Sequence, residues 1–253
     1  MSDKALFIAV PHGSLPGVDR DPVRWHALLT DVHGFPDDAR LLTLPAVHCS
    51  HDDILAAIRG HLVIGASPGD RRVLTISAHG ASSAQGDRFY ATDRAVLEAE
   101  VNGVLADLPA GVRLTCVHDC CRTFTEIEAI DWQQRVRVAR TREPAGSPAR
   151  LAILEPALSR QPAGSVGWLT VKSCRVRESS YHDPAAGSYF GHHLDEEVRR
   201  DPTADASTAV SRAWGAMAGW LRDYQHPEIH GPAEMLAAPL FGGARAAAHG
   251  GVC

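Results

Sequence analysis

The chain has 253 residues, 45% hydrophobic and 22% charged, with a net charge of −5 and a pI near 6.3. That balance gives no electrostatic case for nucleic acid or an anionic membrane as a partner, and no apolar run approaches the roughly 20 residues that span a bilayer. Six cysteines (Cys49, Cys116, Cys120, Cys121, Cys174, Cys253) without paired zinc spacing, behind a start whose apolar stretch is too short for a secretory signal, lead us to expect a reduced, cytoplasmic protein.

Taken in order, "ALFIAV" (5–10) is a continuous apolar run that predicts a strand covered on both faces. Asp21-Pro22 reads as cap and first residue of a helix over "VRWHALL". "SHDDILAAIRGHL" opens on Ser50 with Asp53 three residues on, an acidic variant of the capping box, and sets Ile54, Leu55, Ile58 and Leu62 on one face. "VLTISA" (73–78) predicts a second strand. "TDRAVLEAEVNGVLADL" predicts a helix capped by Thr92 or Asp93. "VRLTCV" (112–117) predicts a third strand. Residues 132–166 break the rhythm with six arginines among Pro, Gly and Ser, and read as a long exposed connection. "GWLTVKSC" (167–174) predicts a fourth strand. "DASTAVSRAWGAMAGWLRDY" puts Val210, Trp214, Met217 and Leu221 on one core-facing helical stripe. Strands alternating with helices predict an α/β fold with a mainly parallel sheet. The Ala, Arg and Gly bias points to a bacterium with GC-rich DNA.

In an open parallel sheet, ligands sit beyond the carboxyl ends of the strands. "VLTISA" runs into His79-Gly80, and "VRLTCV" runs into His118-Asp119-Cys120-Cys121. If the two strands are neighbours, an imidazole and a thiol meet there, as thiol-based acyl transfer requires. The glycine after the histidine admits a substrate backbone and exposes an N–H. With the N–H of the cysteine, it makes a candidate oxyanion hole. On the residues alone this is a candidate thiol hydrolase, with the choice between the two cysteines open.

The order strand, His-Gly, helix, strand, Asp-x-Cys resembles the caspase-like cysteine peptidases: caspases, metacaspases and bacterial orthocaspases. "ISAHGA" is similar to their F-S-G-H-G strand. "VHDCCRT" is similar both to D-S-C and to Q-A-C-R-G. Both alignments make Cys121 the nucleophile and put Cys120 in the place of a small residue. Weaker likeness extends through "VHGFPDDARLLTLPAVHCSHDDILAAI", "TVKSCRVRESSYHDPAAGSYFGHHL" (beside S-G-C-x-x-x-Q-T-S-A-D) and "YQHPEIHGP", in family order over roughly residues 5 to 240. The departures are Ala78 and Thr123 for Gly, and a missing Thr in "GSYFGHHL".

The resemblance implies one caspase-like domain over 1–253, with a central, mainly parallel sheet of about six strands and helices on both faces. It divides into a large-subunit-like part (1–131) with the dyad, the Arg-rich connection (132–166) and a small-subunit-like part (167–253). It implies a cysteine endopeptidase with His79 as proton acceptor and donor, preferred over His118. Gly80 and Cys121 would supply the oxyanion hole. Asp119, in the metacaspase position, would select Arg or Lys in the residue before the cut. Asp87, Glu178 and Asp183 are the candidates for a second pocket acid. Arg135, Arg137, Arg140, Arg142, Arg150 and Arg160 are candidate self-cleavage sites. The expected partners are a protein or peptide substrate and a separate activating protein, by analogy with bacterial defence and cell-death systems. No metal is expected: His192 with Glu196 has helical spacing of an incidental kind. No cofactor is expected either, calcium being left open by some metacaspases. Alternatives are Asp specificity, an inactive caspase-like interaction module, or redox sensing by Cys120–Cys121.

Overall fold

A computed structural model describes residues 2–11, 15–83, 85–122 and 168–242. The 132–166 connection, its six arginines and Cys253 lie outside the described residues. Five strands run parallel: β1 (Lys4–Ala9), β2 (Leu41–Leu44), β3 (Arg71–Ala78), β7 (Arg113–Cys120) and β8 (Trp168–Lys172). A sixth, β11 (Glu228–His230), pairs antiparallel with β8, giving the order β2-β1-β3-β7-β8-β11. The four apolar runs are thus strands of one sheet, of the predicted size and mainly parallel. Two smaller sheets come from β4 (Gly80–Ser83), β5 (Gly86–Tyr90) and β6 (Ala95–Leu97), and from β9 (His182–Asp183) with β10 (Gly187–Ser188).

Among the described residues, seven α-helices flank the sheets: α1 (Arg20–Asp31), α2 (His51–Ala57, continuing as a π turn to Val63), α3 (Glu98–Leu105), α4 (Tyr189–Arg200), α5 (Ala206–Ala216), α6 (Gly219–Arg222) and α7 (Ala233–Leu236). None among the described residues is long and apolar enough to cross a membrane. Strand alternation divides the core in two. Ala5, Phe7, Val73, Val117 and Val171 face Trp25, Leu28, Phe190, Leu194 and Val210 of α1, α4 and α5. Leu6, Ile8, Leu74, Ile76 and Cys116 face Ile54, Ile58, Leu62, Val101 and Leu105 on the α2–α3 side. Burial on both faces is why these strands read as continuous apolar runs.

Three local expectations change. The first helix begins at Arg20, so Asp21 lies in its first turn and is not the cap. Its carboxylate instead accepts from Arg24 Nη1 at 2.8 Å and from Ser188 N at 3.0 Å. The 92–108 helix starts only at Glu98, because Ala95–Leu97 pair with β5, while Asp93 accepts from His51 N. The 205–224 helix breaks at Met217–Ala218 into α5 and α6, with Met217 and Leu221 buried all the same. By contrast, Ser50 caps α2 as expected, accepting from Asp53 N.

Ile76 is fully buried in β3, between β1 and β7. Ile76→Ala is expected to cost about 2–5 kcal/mol in chemical denaturation. A loss below about 1 kcal/mol would contradict the packing described.

Candidate active site

Strands β3 and β7 are neighbours and run in register from Arg71↔Arg113 to Ala78↔Cys120. The next residues on the two strands are His79 and Cys121. Neighbouring strands lie about 4.8 Å apart, so the imidazole and thiol start from adjoining backbone positions at the same edge of the sheet. Here β7 reaches three residues beyond the apolar run, carrying His118, Asp119 and Cys120 as strand residues.

Alternation separates their side chains. Ile76, Ala78 and Cys120 belong to the α2–α3 face, where the Cys120 thiol lies 3.7 Å from Ile76 O. Burial, followed by the Asp119 charge, pushes the Cys120 thiol well above its ordinary value. Asp119 is on the other face and accepts from Ser180 Oγ. The Cys121 thiol reaches the same residue, 3.5 Å from Ser180 O. Cys121 and Asp119 therefore share a face, while Cys120 is packed into the opposite core. Both His79 and Cys121 are buried.

Gly80 marks how closely the two segments approach. A Cβ there would sit 2.5 Å from Cys121 O, 2.9 Å from Cys120 Cβ and 2.9 Å from Arg88 O, so only glycine fits between β5 and the end of β7. Beyond Cys121 the chain is clasped by the segment after β8. Arg122 N donates to Glu178 O at 2.8 Å, Arg177 N to Arg122 O at 2.8 Å, and the Cys174 thiol lies 3.3 Å from Cys120 O.

The three candidates for a second pocket acid take other partners. Asp87 lies on the α2–α3 side, 2.7 Å from Lys172 Nζ and 2.8 Å from Arg122 Nε, and these cations outweigh the cost of burial to hold its carboxyl down at about 2. Lys172 also meets Glu98 at 2.8 Å, and Arg122 pairs with Glu228. Glu178 accepts from His226 N and Nδ1, and Asp183 from Ala185 N and Ala186 N.

Beside Asp119 stands His182, which the sequence does not single out, together with Asp21, which the sequence reads only as a helix cap. Its side chain is 1% exposed, with Nε2 3.4 Å from Asp21 Oδ2. Counting on from Cys174 along S-G-C-x-x-x-Q-T-S-A-D puts the final acid of that pattern at His182, the signal that would have found it. His118, on the Lys172–Glu98 side, is 3.8 Å from Glu98, and burial pushes its imidazole down to about 4. His192, His193 and Glu196 bring one ligand atom each within 4.8 Å of one another on α4, where Glu196 serves both histidines as an ion-pair partner.

Because the folded value of His118 lies below that of the unfolded chain, the unfolded state takes up a proton first as pH falls. Stability is therefore full above about 6.5 and is lost between there and about 4, by roughly 3 kcal/mol for a shift of this size. In urea titrations at pH 7 and 4.5, His118→Gln should lose distinctly less stability than the wild type. Equal losses would contradict the buried neutral imidazole.

A family model for the metacaspase, peptidase C14 domain matches residues 3–130, a stretch that holds both His79 and Cys121. Two crystal structures are similar in fold. A protein of Geobacter sulfurreducens aligns with TM-score 0.67 and 15% identity over 97% of this chain and 100% of its own. Caspase-1 from Spodoptera frugiperda aligns with TM-score 0.65 and 18% identity over 96% of this chain and 91% of its own. No curated protein matches in sequence.

Proposed function

Given that the chain belongs to the metacaspase, peptidase C14 family of cysteine peptidases, we propose that it is an active endopeptidase that cuts after Arg or Lys through a His79–Cys121 dyad. One observation carries this reading: Ala78 and Cys120 are register partners, so His79 and Cys121 head adjoining strand ends.

In the reaction, His79 takes the proton of the Cys121 thiol, and the sulfur attacks the scissile carbonyl carbon. The carbonyl oxygen gathers negative charge against the N–H groups of Gly80 and Cys121. As the C–N bond breaks, His79 returns the proton to the leaving amine, and an acyl thioester remains on Cys121. Water, deprotonated by His79, then displaces the sulfur and frees the acid. Cys120 is spared by its position on the far face and its buried, protonated thiol.

Asp119 supports the basic preference. It is buried on the same face as Cys121, with Oδ1 held by Ser180 and Oδ2 without a hydrogen bond among the described residues. A buried carboxylate with an unfilled acceptor favours a guanidinium or ammonium and rejects an aspartate. The same preference suits the arginines of the 132–166 connection as substrates in cis, and we extend the proposal to self-cleavage there, under a partner's control in a bacterial defence or cell-death pathway.

One set of incubations tests this. Wild type and Cys120→Ala should hydrolyse Arg and Lys fluorogenic peptides in preference to Asp peptides and cut their own 132–166 segment. Cys121→Ala should do neither, with activity lower by at least about a thousandfold. Turnover that survives Cys121→Ala, or a preference for Asp peptides, would reject the reading. An intact segment in active wild type would reject self-processing alone.

A further inference from the structure

Around Asp119 the structure assembles a polar cluster that the dyad does not use. His182 lies on β9, where it pairs with Ser188 of β10. Asp21 on α1 approaches from one side, with Oδ1 holding Ser188 N and Arg24 Nη1, and Oδ2 turned toward His182 Nε2 at 3.4 Å. Asp119 comes from β7, next to Ser180. Its Oδ2 faces the first turn of α4, where a Cβ on Gly191 would lie 3.3 Å from that oxygen and 3.3 Å from Arg24 Nη1. Asp21, Asp119 and the His182 side chain are each about 1% exposed.

Two features mark this cluster as unfinished by the protein itself. Asp21 Oδ2 and His182 Nε2 have each other at 3.4 Å, but Asp119 Oδ2 and His182 Nδ1 make no hydrogen bond among the described residues. Leaving buried polar atoms so is costly, and a ligand that donates to the free carboxylate oxygen would recover part of that cost. Moreover, the charge of the cluster depends on one proton. The charged groups facing His182 are Asp21 and Arg24 on α1 and Asp119 on β7. Two carboxylates and one guanidinium leave a net −1 when the imidazole is neutral and zero when it is protonated.

We propose that His182 is a specificity-determining residue of the substrate pocket: when neutral it leaves the Asp119–Asp21 cluster anionic and receptive to a basic side chain, and when protonated it cancels that attraction. This deepens the function proposed above and rests on it. Burial alone would lower the imidazole's value, but the adjoining Asp21 and Asp119 carboxylates outweigh it and raise it above 6.5. The sign follows. Below that raised value His182 carries charge, and selection for Arg is weak. As pH rises through it, the proton leaves and selection for Arg grows. Bound arginine in turn favours the neutral imidazole, by linkage.

The test compares kcat/KM for two peptides that differ only in the residue before the cut, arginine or its neutral isostere citrulline, from pH 6 to 9. The dyad's own titration affects both substrates alike and cancels in the ratio. In the wild type the Arg/Cit ratio should rise by at least about tenfold, a floor below the roughly thousandfold that one unit charge about 4 Å away exerts at an effective dielectric near 20. In His182→Gln it should be flat and high. A flat ratio in the wild type overturns the proposal even if the variant fails to fold. A slope unchanged in a folded His182→Gln overturns it too. If the wild type turns over neither peptide, and an arginyl chloromethyl ketone leaves Cys121 unmodified, the peptidase reading falls and takes this proposal with it. Turnover with a flat ratio removes His182 alone.

Discussion

The site depends on the parallel, in-register hydrogen bonding of β3 to β7. Eight consecutive register pairs, ending at Ala78↔Cys120, leave no freedom in where the next residue of each strand begins. A slip of one residue would turn the side chains of β7 to the wrong face. Cys120 would then exchange places with Cys121, and Asp119 would enter the α2–α3 core. The register is held on both sides of the sheet. Val73 and Val117 pack into the α1–α4–α5 cluster, while Leu74, Ile76, Leu114 and Cys116 pack into the α2–α3 cluster. Gly80 acts as a further gauge, because nothing larger fits against the carbonyl of Cys121.

Around that edge the two faces carry different polar layers. The α2–α3 side is rich in closed ion pairs: Lys172 with Asp87 and Glu98, and Arg122 with Asp87 and Glu228. These pairs tie the β4–β6 sheet and β11 to Arg122, the residue after Cys121, and to Lys172 on β8. Each cation has two carboxylate partners and Asp87 is shared between them, so the network gives positional definition more than net stability. On the Asp119 side, Asp119 Oδ2 and His182 Nδ1 have no hydrogen-bond partner among the described residues. Ion pairs fix the support on one side of the sheet end, and the Asp119 carboxylate lies on the other.

Much of this was legible in the residues. The four apolar runs, the capped helix at Ser50 and the His-Gly and Asp-x-Cys pair led to the architecture, because burial on both faces writes itself into composition. The end of β7 was not legible. His118 and Asp119 are polar, and their burial depends on Glu98 and Ser180, which lie far away in the chain. Nor could an acid be sorted by face without the sheet. Asp87, Glu178 and Asp183 look equivalent in sequence, yet they serve an ion-pair network, a contact with His226 and a tight turn. Histidine 182 escaped because a search for acids does not stop at an imidazole, and its two carboxylate neighbours come from segments about 160 and 60 positions away.

The adjacency of His79 and Cys121 is open to direct measurement by the rate of alkylation of Cys121 with iodoacetamide at pH 7, followed by peptide mass spectrometry. If the imidazole activates this thiol, His79→Ala slows modification of Cys121 by at least about tenfold while His118→Ala leaves it unchanged. Equal rates in the wild type and His79→Ala, with both proteins folded, would contradict the account.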